Sequence, residues 1–458
     1  MTTGTRARRL LAVLAALALG VAPLATPLSA QPSGTPRSAV PDARQPDIDA
    51  GDDLDVLLAT IGQGDLVWER FGHNALIIRD RSTGQATAWN WGVFDFDAVD
   101  FLPRLIRGEW RYWMEGMDAK RMLDYYASDN RDIVLQELNL TPAQERELLA
   151  FVRWNERPEN RHYRYDYYLD NCSTRVRDAI DRVLGGQIRA ATDTVVTATT
   201  FRQETRRLTG DQPLTYAGIM LALGNPADRP ITVWEDMFLP VRMQVALRAV
   251  TVRGPDGAPV PLVKSERPYF ASTRPPEPAE PPGFQWGYLV GGLALAALLA
   301  GLAERARRNG RAARRTLAAL GSAWSLVAGI AGSLLVYVWL GTRHSFMYQN
   351  ENLFLFQPLS LLLAVLLPRY VAGRGGRGPA RLAAAIAGIA LLGSVLHLLL
   401  PGLRQVNGEL VALALPAHLA LAWALYRVRT ARASGPAAAG APAAGDRPTA
   451  ARVSSTWS

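Results

Sequence analysis

Cys172, in the segment "YLDNCSTRVRDAI", is the single cysteine of a 458-residue chain, so it has no partner within the chain for a disulfide. A thiol reacts as its thiolate, and its neighbours decide how readily that ion forms. Asp170 and Asn171 are helix-capping residue types, Val176, Ile180 and Val183 follow at helical spacing, and Gly185 ends the run. The pattern predicts a helix with the sulfur in its first turn. Free N–H groups and the positive end of the dipole are expected there to lower a thiol pKa that is ordinarily about 8.5. Arg175 should add to the effect, and Asn171 could orient backbone or substrate. The same N–H groups could hold an oxyanion formed when sulfur attacks a carbonyl. A cysteine that merely packs in a core is the alternative, and the capped helix start weighs against it.

A thiol nucleophile needs a base, and the chain offers five histidines. His397 and His418 lie in long apolar runs, and His344 lies between two such runs. That leaves His73 and His162. His73 in "RFGHNALIIRD" opens an apolar run after a glycine, where an imidazole can project over a cleft, whereas His162 in the polar "ENRHYRYD" reads as solvated. His73 is the expected general base, with Asn90 in "WNWG" as its candidate polar partner. The sequence leaves a third catalytic group open. Trp89, Trp91, Phe94 and Phe96, with Trp110, Tyr112 and Trp113, could line an acyl groove, rest at a membrane interface, or simply pack a core. There is no zinc-type ligand cluster and no phosphate-cradling glycine loop, so neither metal nor nucleotide cofactor is expected.

The elements that hold these residues follow from periodicity. Val56 to Ile61, Ala75 to Ile78 and "QATAWNWGVFDF" read as strands. "LTPAQERELLAFVRWNE" reads as a helix with Thr141 at the cap and Pro142 in the first turn. The class is α+β, over a globular domain spanning residues 52–272.

The rest of the chain is organised around a membrane. Residues 1–30 have the arginine cluster, apolar run and small-residue end of a secretory signal, although Leu28 is a poor residue before a cut at Ala30 and leaves an uncleaved anchor open. Residues 273–285 form a proline-rich acidic linker, expected to be extended and solvated. Within 286–427, apolar stretches run from Trp286 to Ala303, Leu317 to Leu340, Phe356 to Val371, Leu382 to Leu400 and Leu410 to Tyr426, against the ~20 residues a helix needs to cross a bilayer. Five transmembrane helices are expected. Loops such as "ERARRNGRAARR" and "RGGRGPAR" are arginine-rich while "TRHSFMYQNENLF" and "LRQVNGE" are not. The positive-inside rule therefore puts the globular domain outside the cytoplasm, as the signal does. The formal charge of +9 mainly reports these flanks and the Ala, Gly and Pro-rich tail, 428–458, expected to be cytoplasmic and disordered. It gives no reason to expect nucleic-acid binding. The oligomeric state is not legible.

The motifs "FGHNALIIRD", "WNWGVFDF", "LNLT", "YRYDYYLDNCSTRVRD" and "FLP" at Phe238 to Pro240 together resemble the periplasmic N-terminal domain of the Lnb-type lipoprotein N-acyl transferase family. "TRHSFMYQNENLFLFQPL" extends the likeness into the membrane half, where His344, Asn350 and Asn352 match that family's His and Asn-x-Asn-Leu loop and could meet a head group or the first domain. The order His then Cys is also similar to the permuted papain-like fold of NlpC/LRAT-like thiol enzymes. The resemblance implies a cell inner-membrane, periplasm-facing acyltransferase that passes acyl chains between membrane phospholipid or lipoprotein substrates through a Cys172 thioester, with His73 as base. Two alternatives stay open: an NlpC-like cysteine peptidase or amidase acting on cell-wall peptide, and a non-catalytic, membrane-anchored binding module.

Overall fold

The computed structural model describes residues 53–95, 100–254, 256–308, 310–374 and 376–433. The expected signal segment, Phe96 and residues 434–458 of the tail lie outside them. Seven strands form one antiparallel sheet: β1 (Leu54–Ile61), β2 (His73–Asp80), β3 (Ala86–Val93), β4 (Arg111–Asp118), β5 (Ile133–Leu138), β6 (His162–Arg164) and β7 (Val263–Phe270). Their order is β7-β5-β1-β2-β3-β4-β6. Helices cover both faces of its centre, which is why β1 is buried at every position, its polar Asp55 and Thr60 included.

Around the sheet lie α1 (Phe101–Arg107), α2 (Ala119–Ser128), α3 (Pro142–Glu156), α4 (Cys172–Val183), α5 (Phe201–Thr209), α6 (Pro213–Ala222) and α7 (Pro240–Ala249). Alternation along the strands sorts the core into two layers. Val56, Leu58, Leu76, Ile78, Trp89 and Trp91 meet Leu148, Val152, Val176, Ile180 and Met243 of α3, α4 and α7. Leu57, Ala59, Ile61, Ala75 and Ile77 meet Met122 and Leu123 of α2. Thr141 and Asn171 are the expected caps, and each closes a capping box: Thr141 with Gln144 starts α3, and Asn171 with Thr174 starts α4.

The second half contains α8 (Trp286–Arg307), α9 (Arg311–Gly341), α10 (Leu359–Val371), α11 (Gly378–Leu399) and α12 (Gly408–Ala433). Among the described residues, five segments are long and apolar enough to cross a membrane. The third, Ser345–Val371, enters as two 3-10 turns and is α-helical only over its last 13 residues. A helix of that length spans only about 20 Å, so the entry segment must complete the crossing. Irregular backbone at such depth has to be covered by protein, and Glu351, Asn352, Leu355 and Phe356 are indeed buried. The last helix continues to Ala433, past the expected start of the tail. The linker is not the free, solvated strand expected from its composition. Arg207 binds Glu277 and the Pro278 carbonyl at 3.0 and 2.8 Å, and Arg206 binds the Pro282 carbonyl at 3.2 Å, which straps it to α5.

Candidate active site

His73 is the first residue of β2 because Gly72 delivers the chain there in a left-handed conformation (φ 76°), and a Cβ at Gly72 would stand 2.7 Å from the Ile61 carbonyl oxygen. Only glycine satisfies both demands. His73 Nε2 lies 3.1 Å from Asn90 Oδ1, and Asn90 Nδ2 donates to the Ala88 carbonyl at 3.2 Å. The amide is thereby oriented with its oxygen toward the ring, which assigns the proton to Nε2 and leaves Nδ1 as the basic nitrogen. Tyr126 packs on the imidazole with ring centroids 5.9 Å apart. Burial depresses the His73 pKa to about 4; the Asn90 hydrogen bond opposes this and the charge of Arg131 adds to it. The imidazole is neutral at physiological pH.

Cys172 opens α4, which packs on β2 and β3. β2 and β3 pair in register with Ala75 opposite Asn90, and two further steps put His73 opposite Gly92. Gly92 has φ 97°, and a Cβ placed there would lie 3.5 Å from Cys172 Cβ. The cysteine therefore stands at the strand end that carries His73. A second tie fixes the two elements: Asn74 Nδ2 donates to Ser173 Oγ at 2.9 Å, and Ser173 Oγ donates to the Met237 carbonyl at 2.7 Å. Each residue of the Asn74–Ser173 bond is the chain neighbour of one member of the pair. Cys172 is half-buried as a residue, and its thiol is desolvated.

The expected lowering of the thiol pKa is overturned. Burial raises the Cys172 pKa, against the backbone N–H groups of Asn74, Ser173 and Cys172 itself and the charge of Arg131. Desolvation of an anion outweighs the helix end here. Thiol and imidazole are both neutral at rest. Nor does Arg175 act on the sulfur as expected: it pairs with Asp170, with Nη2 2.7 Å from Oδ2, and lies over the Tyr163 ring at 4.2 Å. Asn171 is consumed by structure, its oxygen accepting from Ser173 and Thr174 N–H at 2.9 Å and its amide donating to the Tyr167 and Phe238 carbonyls at 3.1 and 3.0 Å.

The aromatic residues divide. Trp89 and Trp91 are core, and Trp91 Nε1 donates to Asn155 at 2.9 Å. Trp113 is buried against His162, 6.1 Å between centroids. Phe94, Tyr112, Tyr165 and Trp110 instead stack in sequence at 4.8, 4.3 and 5.8 Å. Burial, and after it the charge of an ionised Cys172, raises the pKa values of Tyr112 and Tyr165, so this wall borders the sulfur. His344 extends it, edge-on to Trp110 at 6.3 Å and bonded to the Leu105 carbonyl at 3.0 Å.

Asn350 and Asn352 do not approach the thiol's partners. Asn350 Nδ2 donates to the Leu221 and Ala222 carbonyls, both at 2.9 Å, and Asn352 Nδ2 to the Met220 and Leu221 carbonyls at 3.2 and 3.0 Å. They cap the C-terminal end of α6 and lock the membrane half onto the globular domain. Asn74, Ser173, Tyr126 and Arg131 were not singled out from sequence. Asn74 and Ser173 each sit beside a chosen residue, a signal that could have been used; Tyr126 and Arg131 carried none.

Two family models match this chain, the Lnb N-terminal periplasmic domain over residues 46–208 and the Lnb transmembrane domain over residues 292–377. Together they cover more than half of the sequence. No curated protein and no solved structure matches it.

Proposed function

Since the chain belongs to the Lnb family, a multi-pass inner-membrane protein with its N-terminal domain in the periplasm, we propose that it is a cysteine acyltransferase working on lipid or lipoprotein acyl chains. The observation that carries this reading is the placing of a cysteine at a helix start and a histidine held by Asn90 at one end of the sheet, beside an aromatic wall continuous with a membrane-domain loop. The order of strand histidine before helix cysteine is similar to that of permuted papain-like thiol enzymes.

In the first half-reaction His73 Nδ1 takes the Cys172 proton as sulfur forms a bond to an ester carbonyl. Backbone N–H groups of Cys172 and Asn74, already turned toward the sulfur, face the developing oxyanion. The carbon–oxygen bond breaks, the leaving alkoxide takes the proton from His73, and a thioester remains. In the second half-reaction an amine attacks the thioester, His73 takes an amine proton, and the thiolate leaves and is reprotonated. Neutral resting partners suit this sequence, because proton transfer accompanies attack instead of preceding it. The Phe94–Trp110 wall takes the acyl chain, which reaches it from the bilayer without full exposure to water.

Mass spectrometry of lipoprotein N-termini, from cells carrying the wild-type chain or Cys172→Ala, tests the reading. Acylated N-termini should disappear with Cys172→Ala. Unchanged acylation together with altered cell-wall peptides would make the protein a peptidase or amidase using the same pair on water.

A further inference from the structure

Arg131 is 3% exposed, and among the described residues it forms no ion pair and only one side-chain hydrogen bond, Nε to the Gly62 carbonyl at 2.9 Å. Its guanidinium lies over Tyr126, 4.9 Å from the ring centroid, on the tyrosine that also packs against His73. Register fixes its place. Ile133 of β5 pairs with Ile61 of β1, and Ile61 pairs with His73. Arg131 just before β5, Gly62 just after β1 and His73 therefore stand side by side at one end of the sheet, the end over which Cys172 sits. A buried guanidinium costs several kcal/mol of desolvation, and cations in such places are ordinarily matched by a carboxylate. Here its charge reaches both members of the pair, along with Tyr125 and Tyr126.

We propose that Arg131 is a positioning residue whose fixed charge acts on both members of the pair at once, favouring the thiolate of Cys172 and holding His73 unprotonated. Its charge is felt by both groups and in the same direction, lowering each pKa. The other titratable groups facing the pair are tyrosines, Tyr126 from α2, Tyr112 from β4, Tyr163 from β6 and Tyr165 after it, all neutral over the working range. Glu69, in the loop between β1 and β2, is within electrostatic range of Tyr126, and Asp170 and Arg175 of the α4 start neutralise one another. Arg131 supplies the side-chain charge that bears most on the sulfur. Because arginine does not deprotonate below a pH of ~12, its influence is constant across the working range and is removed only by substitution.

The inference rests on Cys172 being the nucleophile, and its test reads the thiol directly. The full chain in detergent is treated with iodoacetamide and the rate of Cys172 alkylation followed from about pH 5 to 10, with Arg131→Lys and Arg131→Met alongside the wild type. Arg131→Met should move the alkaline rise up by at least half a pH unit, about threefold slower alkylation on the rising limb. Arg131→Lys should stay near the wild type. Superimposable profiles, or equal shifts in the lysine and methionine variants, would overturn the inference. If Arg131→Met does not fold, Arg131→Gln, which keeps a donor for the Gly62 carbonyl, replaces it; failure of both to fold makes Arg131 a structural cation and also overturns it. A charge-dependent profile in a protein that never forms an acyl adduct would defeat the acyltransferase reading and leave this one standing.

Discussion

Two polar clusters of this molecule look alike in sequence and differ in what their atoms are doing. His73, Asn90 and Cys172 form one; Asn350, Glu351 and Asn352, which follow His344 in the membrane-domain loop, form the other. In the first, Asn90 fixes one imidazole nitrogen, and no side chain among the described residues is bonded to the second nitrogen or to the sulfur, which only backbone N–H groups face. In the second, the donors are spent: Asn350 and Asn352 bind main-chain carbonyls at the end of α6, Asn352 accepts from Asn407 at 3.0 Å, and neighbouring Glu351 accepts from Asn225 and the Gln405 N–H, both at 3.0 Å. A reactive site keeps unsatisfied capacity, and a structural joint uses it up. Residue type alone does not separate the two.

Substitutions should pull the clusters apart. Cys172→Ala should reduce acyl transfer by roughly 10⁴-fold or more without changing thermal stability appreciably, as rate and melting assays would show, because the neighbouring Ser173 hydroxyl is committed to Asn74 and the Met237 carbonyl. His73→Ala should cost about 10²–10⁴-fold. In the wild type kcat/KM should hold from neutrality down to about pH 4 and fall below it, since the base must be neutral and burial sets its pKa there. An acid limb near 6.5 would mean the ring is solvated. Asn90→Ala should cost about 10–100-fold, by freeing a ring that other contacts still hold in part. Asn352→Ala should leave the rate per folded molecule within about twofold and cost about 1–3 kcal/mol of stability, by taking one donor from each of the Met220 and Leu221 carbonyls and the acceptor from the buried Asn407 amide. A large kcat loss there would erase the distinction between the clusters.

Much of this was legible because it is local. Thr141 with Pro142, and Asn171 ahead of Val176 and Ile180, announce α3 and α4 through capping and periodicity, and the five apolar stretches announce the membrane half through length. His73 and Cys172 stood out as a scarce imidazole and a unique thiol. What the sequence hid was long-range or a matter of competing magnitudes. The Asn74–Ser173 bond joins positions 99 apart. Arg131, in the polar stretch "SDNRDIV", has the look of a surface turn until α2 and the β1 end close over it. The helix start argued for an acidic thiol, but only the packed structure shows that desolvation wins. The entry to the third span is broken into 3-10 turns because its backbone docks on the globular domain, a partner no hydropathy window contains.

The account turns on a thioester forming at one sulfur with help from one imidazole. Intact-mass analysis of the full chain in detergent, after exposure to an ester phospholipid or a diacylglyceryl peptide, reads that step directly. The predicted result is an added acyl mass on Cys172, removable by neutral hydroxylamine and reduced by at least about 10²-fold in rate by His73→Ala. An adduct that forms as fast without His73, or one that maps to another residue, would contradict it.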